Sequence, residues 1–552
     1  MTTQVTAPAT VVKASWAPMV ALALAQVLMS FNVASLPVSL GGMVADFGVP
    51  PTAVSTGIVT YGLVVAALVM TGAKLGQKFG WVLVFRIVIV IFGIAMALMT
   101  FAPNVGVMIT AQALAGGSAA IIVPSLVALI AENYHGDQQA TAVGSLGSAR
   151  AASGVSAFLI GGILGTFIGW RPVFAILIGF AVIVFILSFR LKAAPGNSAV
   201  KIDILGAALI GLGVVSLTLG FNNLNSWGVV FAEPSAPFSI VGLSPAPFLV
   251  VVGVILGQGF FVWTRRRTRR EKTPLISLTV VGSKRERAAV YALFLIVGLE
   301  ASLNFTIPLY IQIVQGRTPL ATSIAMLPFN LTVFFSALVV IRFYKRFSTR
   351  TIARFAFILT TVALLWLSLV VTNNWETLPT IIGLFVFGVG QGALVTLLFN
   401  VLVTSSPKEL AGDVGSLRGT TQNLASAVGT ALAGAMLVTL LGLGFGQALG
   451  NAHGIPDSLR DEAGLNSVNF VSNSALKTTL EKTSATPEQV ASLVSINADS
   501  RLRALQIGLL VLAGISAIGI LPVSRLPRYR PGEIPELHGA PERVAHNEDE
   551  DI

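Results

Sequence analysis

Two ionisable residues interrupt otherwise apolar sequence: Arg150, inside the apolar stretch 140–166, and Glu300, inside 287–313. A charge at the centre of a bilayer costs about 2.5 to 3.5 kcal/mol on insertion scales, so it turns toward a partner or a cavity, and a functional role is its default reading. A carboxyl in such a place can take up and release a proton as a cation, Arg150 or a ligand, approaches and withdraws. Each residue also has a structural reading. Asn304 can hold Glu300 for packing alone, and Arg150 can snorkel along its alkyl stem to the surface. The amides Asn32, Gln112, Asn304, Asn330, Gln391, Asn400, Gln422 and Asn423 fall at comparable depth. They can orient a ligand without charge, and they can equally bond helix to helix.

Other chemistry is absent from the pattern. The chain has no cysteine, which removes disulfides, thiolate metal sites and cysteine nucleophiles together. Its four histidines, His135, His453, His538 and His546, fall in expected loops or the tail without ligand spacing. No metal site or cofactor is expected. With no nucleophile, metal or phosphate-loop constellation, no enzyme is expected either.

The elements that must carry these residues are read from apolar length. A helix needs about 20 apolar residues to span the hydrocarbon, and roughly fourteen such stretches recur along the chain. Composition agrees, with 54% hydrophobic and 11% charged residues and a mean hydropathy of +0.82. Continuous apolar runs without two-residue alternation exclude a β-barrel. The class expected is an all-α polytopic membrane protein, since each span must close its own backbone hydrogen bonds. The spans fall at 16–40, 53–73, 81–102, 105–131, 140–166, 170–190, 203–222, 242–263, 287–313, 319–341, 351–372, 378–404, 415–442 and 503–522. The first is too long for a signal-peptide core and is expected to remain as a helix.

Cations collect in alternate gaps: Lys74, Lys78 and Arg86; Arg190, Lys192 and Lys201; Arg265 to Lys272; Arg342, Lys345, Arg346 and Arg350; Arg525, Arg528 and Arg530. Cytoplasmic loops retain Lys and Arg, so both termini are expected inside a cell (inner) membrane. Topology therefore explains the net charge of +11, and dispersal over loops argues against a nucleic-acid partner. The run Arg265 to Lys272 can also touch anionic headgroups. The expected organisation is a cytoplasmic N-terminus (1–15), a six-helix bundle (16–190), two linking helices (203–263), a basic cytoplasmic loop (264–286), a second bundle (287–522) with an extracytoplasmic loop at 443–502, and a cytoplasmic tail (523–552). Thr486-Pro487-Glu488 in that loop reads as a helix start and a small helical cap. The acidic tail ending Glu548 to Asp551 reads as disordered.

An internal repeat supports two bundles. Lys74-Leu75-Gly76-Gln77-Lys78-Phe79-Gly80 after the second span is echoed by Arg342-Phe343-Tyr344-Lys345-Arg346-Phe347-Ser348 after the tenth. Gly116-Gly117-Ser118-Ala119 is echoed by Gly390-Gln391-Gly392-Ala393. Parallel halves with a ligand near the midplane are a known transporter design. Gly161, Gly162, Gly165 and Gly169 mark a face of the fifth helix that another helix can approach closely, as a sliding or a static contact.

These residues resemble the major facilitator superfamily, specifically its fourteen-helix drug:proton antiporter branch, over nearly the whole length. The resemblance rests on Trp170-Arg171-Pro172-Val173-Phe174, Asp203-Ile204-Leu205-Gly206, Pro308-Leu309-Tyr310-Ile311-Gln312 with Gly316 and Pro319, Gly388-Val389-Gly390-Gln391-Gly392, and Gly429-Thr430-Ala431. It implies the major facilitator fold of two six-helix bundles plus two linking helices, and a monomer that exports hydrophobic or amphipathic small molecules by alternating access. It also implies a gating loop at Lys74, Gln77, Lys78 and Gly80. Departures bear on coupling. Gln77 stands where the family carries an acid, Trp81-Val82 where it carries cations, Gln112 where helix 4 presents arginine, and Leu28 where helix 1 often has an acid. Helix 5 has Ala157-Phe158-Leu159-Ile160-Gly161-Gly162 in place of Gly-Pro before Gly-Gly. The relay at the gate is expected to be weakened, Glu300 with Arg150 becomes the candidate for proton coupling, and that pair suits an amphipathic cation. Facilitated uptake, lipid movement, and a receptor-like protein that has lost coupling stay open beside export.

Overall fold

Polar caps and prolines cut the apolar sequence into helices. Asn104 accepts from the Val107 amide and opens one helix, and Asp203 accepts from Gly206 and opens another. Ser283 with Glu286 and Thr486 with Gln489 form reciprocal capping boxes at two more. The computed structural model describes residues 15–526, apart from 452–472 and short gaps at 50, 135, 193, 229, 235, 240, 316, 344–345, 373–376 and 405–409. Gly316, Tyr344 and Lys345 of the motifs, the four histidines and the terminal tails therefore lie outside the described residues.

The helices are α1 (Ala17–Phe47), α2 (Pro51–Phe79), α3 (Trp81–Thr100), α4 (Val105–Asn133), α5 (Gly136–Phe167), α6 (Arg171–Leu187), α7 (Ile204–Trp227), α8 (Pro245–Arg269), α9 (Lys284–Pro308), α10 (Pro319–Phe343), α11 (Thr349–Val370), α12 (Leu378–Thr404), α13 (Ala411–Asn451), α14 (Asn473–Leu480) and α15 (Pro487–Ile518). All but the short α14 are long and apolar enough to cross a membrane, giving fourteen candidate spans among the described residues.

Several helices outrun their apolar windows. α8 continues through Arg265 to Arg269, so the first residues of the expected basic loop, with most of its arginines, are helix. α13 has 41 residues, about 60 Å at 1.5 Å per residue, twice the about 30 Å hydrocarbon core. Thr486 does cap a helix, but that helix runs on as the last span and is no separate element. A small apolar core of Phe445, Leu476, Leu480, Val490 and Leu493 joins the projecting ends of α13 and α15 to α14.

Two large apolar cores follow chain order. One is drawn from α1 to α6 with Phe399 of α12 added, and the other mainly from α9 to α15 with Val38 and Phe158 added. Between them runs a seam where α5 packs on α10, and α2 and α4 pack on α13. α7 packs on α8 and also touches α2 and α13. Asp203 fastens the α7–α8 pair, accepting from Trp263 Nε1 at 3.1 Å and pairing with Arg267 at 3.3 Å. The Trp170-Arg171 motif has a comparable structural use at the other end. Both side chains reach Asp46 of α1, and Arg171 also donates to the Ala102 carbonyl at 2.7 Å.

Candidate functional site

Arg150 lies fourteen residues into α5 and Glu300 sixteen into α9, depths of about 21 and 24 Å along their axes. The structure brings them together across the seam: Arg150 Nη2 donates to both Glu300 oxygens at 3.3 Å. Gln391 of α12 donates to Glu300 Oε2 at 2.7 Å, so three helices converge on one carboxylate. Neither charge is sealed, with side chains 28% and 18% exposed. Asn304 does not hold Glu300; its Oδ1 is buried without a hydrogen-bond partner among the described residues, as is Gln391 Oε1.

The other amides divide by use. Asn32 and Gln112 are fully buried and bond each other, Nδ2 to Oε1 at 3.0 Å and Nε2 to Oδ1 at 3.3 Å. They tie α1 to α4, the helix-to-helix use open to such amides. Asn330 and Asn423 spend their amide hydrogens on carbonyls one turn back, Met326 and Gly419. Gln422 Nε2 is buried without a partner among the described residues, and Asn400 is half-buried on α12.

The expected gating loop is helix. Lys74, Gln77 and Lys78 all lie on the last turns of α2, and the break before α3 is Gly80 alone, whose φ of +92° suits a residue without Cβ. Lys78 lies beside the Phe79 ring. An acid from another helix reaches this end of α2. Asp413, at the start of α13, pairs with Lys74 at 3.2 Å, accepts from Gln77 at 3.4 Å, and accepts from the Ser277 amide at 2.8 Å. The acid absent at Gln77 is supplied from across the seam. Trp81 fills the same corner, and a Cβ on Gly412 would lie 2.8 Å from its ring.

Glycine contacts differ from the expected stripe. Gly162 is the close-approach residue toward α10, facing Ser323 and Leu320, while Gly161 faces Val38 of α1. Gly165 stays on α5, half-buried. Gly169 is past the helix end with φ +101° and nothing within 4 Å, so it serves the turn into α6 and packs no helix.

Arg418 of α13 escaped the sequence reading. It is buried, and its guanidinium carbon sits 3.7 Å from the centroid of the Phe399 ring. Asp413 and Arg418 fall at the head of an apolar run, where a charge is ordinarily solvated. One signal was available: Gly144-Ser145-Leu146 of α5 recurs as Gly415-Ser416-Leu417, immediately before Arg418.

Paired helical bundles that meet over a partly exposed ion pair are an architecture of membrane transporters. The profile of the Major Facilitator Superfamily matches residues 22–430, and the chain belongs to that family. Among curated relatives, it is 26% identical over 429 residues to the multidrug efflux pump LfrA of Mycolicibacterium smegmatis, covering 76% of this chain and 80% of that one. It is 23% identical over 384 residues to the tetracenomycin C resistance and export protein of Streptomyces glaucescens, covering 69% and 68%. Solved structures share the fold. The human organic anion transporter MFSD10 superposes with TM-score 0.54 at 12% identity, over 92% of this chain and 98% of that one. A bacterial homolog of the human lysosomal transporter Spinster, inward-facing and occupied, gives 0.55 at 14%, over 92% and 96%. The fourteen spans and the drug-exporting relatives agree with the drug:proton antiporter branch, and the protein is a transporter, not an enzyme.

Proposed function

We propose that this protein is a proton-coupled secondary exporter of hydrophobic or amphipathic small molecules in a bacterial-type cell membrane. The bundles α1–α6 and α9–α15 rock about the seam, and α7 and α8 link them. One observation carries the reading: Glu300 of one bundle is neutralised by Arg150 of the other. A carboxylate whose counter-ion sits on the opposite moving body exchanges that partner for a proton when the bodies part, because it cannot stay charged and alone in an apolar surround. Rocking then alternates Glu300 between an ion-paired and a protonated form, which ties proton movement to the change of access. The drug-export names of LfrA and the tetracenomycin C protein support the direction.

The test is substrate accumulation by everted vesicles under a pH gradient, with proton flux followed in liposomes. Glu300→Gln keeps size and hydrogen bonding while removing the titrating group. It is expected to abolish gradient-driven accumulation and to spare exchange of labelled for unlabelled substrate. Undiminished coupled flux in that variant would refute the role of Glu300 and point to another acid or another driving ion.

A further inference from the structure

Three cations of the described interior are matched by acids, and Arg501, 1% exposed, is held by Asn473 and the Asn497 carbonyl. Lys74 has Asp413, Arg267 has Asp203 and Arg150 has Glu300. Arg418 has none: it is 4% exposed, makes no ion pair among the described residues, and its Nε is buried without a hydrogen-bond partner. Its contact is the Phe399 face. The neighbouring Gly419 packs on Val69 of α2 and Val123 of α4, so Arg418 stands at the seam, the same seam that holds Arg150 and Glu300. Arg418 therefore adds to the seam a positive charge that no acid among the described residues matches.

An uncompensated buried charge is strongly unfavourable, and a ring face offsets it only in part. Stacking uses the flat face of the guanidinium and leaves its edge N–H groups as a planar fork, which matches a carboxylate, sulfonate or phosphate oxygen pair. We propose that the transported molecule is an amphipathic acid whose anionic group docks on Arg418, with its apolar body against the ring of Phe399. The unmatched guanidinium of Arg418 repels a cation, which reverses the preference read from Glu300 and Arg150 in the sequence alone. The proposal rests on the exporter reading only in taking the seam as the substrate's route.

The test measures binding and needs no transport. Anilinonaphthalene sulfonate and the uncharged N-phenylnaphthylamine share one fused-ring body, and each is titrated by fluorescence into the full chain in phosphatidylcholine nanodiscs, with empty nanodiscs as blank. The wild type is expected to bind the sulfonate about ten- to a hundredfold tighter than the uncharged probe, the range for a charge-assisted contact. Arg418→Gln is expected to erase that preference, and Arg418→Lys, which keeps the charge, to retain it. A merely structural arginine would weaken both probes alike on substitution. A wild type that binds both probes equally, or a preference that survives Arg418→Gln, overturns the proposal, the first whatever the variants do. A protein that prefers the sulfonate yet accumulates nothing in vesicles supports this site and overturns the exporter reading; one that exports but prefers the uncharged probe overturns this site alone.

Discussion

Asp413→Asn isolates the charge that closes the basic end of the seam. Asp413 and Lys74 lie 3.2 Å apart with side chains 2% and 6% exposed, so solvent screens the pair very little. Asparagine keeps an oxygen for the Ser277 amide, now 2.8 Å from Asp413 Oδ2, and removes only the charge. Lys74 would then be buried opposite a neutral group, with Gln77 Oε1 at 3.1 Å as its remaining acceptor. Removing one partner of a buried pair costs about 3 to 5 kcal/mol. That penalty falls on the closed seam alone, because Lys74 gains water once α2 and α13 separate. The equilibrium should move toward opening by about a hundred- to a few thousandfold. The readout is a single cysteine at Ser416, a 1%-exposed residue one turn beyond Asp413, in a chain that otherwise has none. Maleimide labelling of Ser416→Cys in everted membranes is expected to accelerate in the Asp413→Asn background. Adding Lys74→Met should return it toward the parent rate, since no buried charge is then left unmatched. Labelling that does not change, or that stays fast in the combined variant, refutes the latch.

Three further outcomes follow from the same contacts. Arg150→Gln removes the cation 3.3 Å from Glu300 and leaves that carboxylate without its charge partner across the seam, so gradient-driven accumulation should fall at least about tenfold, with Arg150→Lys retaining more of it; undiminished accumulation in Arg150→Gln contradicts the pairing. Asn32→Ala leaves Gln112 buried without its partner and should lower stability by about 1 to 3 kcal/mol with transport retained, as read by thermal melting beside vesicle uptake. Lost transport at unchanged stability would return the two amides to the ligand's path. For orientation, impermeant maleimide on intact cells should label Lys482→Cys and spare Ser198→Cys, both exposed positions; the reverse pattern inverts the topology.

Apolar length is a one-dimensional signal, which is why fourteen spans could be counted from the sequence, while their ends could not. α8 runs on through four arginines and α13 through Leu443 to Asn451, well past its expected window, because a helix already nucleated in the membrane extends at little cost. The site divides in the same way. Glu300 and Arg150 stand out as lone charges in apolar sequence, but their meeting, 150 positions apart in the chain, is a tertiary fact. Asp413 is separated from Lys74 by 339 positions, and at the head of an apolar run it is indistinguishable from a solvated helix-start acid until α2 is laid beside it. Gln77 read along the chain therefore shows only a missing acid. A motif scored on one strand of sequence registers a missing acid there, whereas the physics of the gate asks only for one negative charge within reach of Lys74 when the seam closes. Asp413 provides it from the opposite bundle, where parting of the bundles breaks the pair directly. Arg418 carries the same lesson with opposite sign: a charge whose partner is not found anywhere along the described chain is the one whose partner is best sought in the cargo.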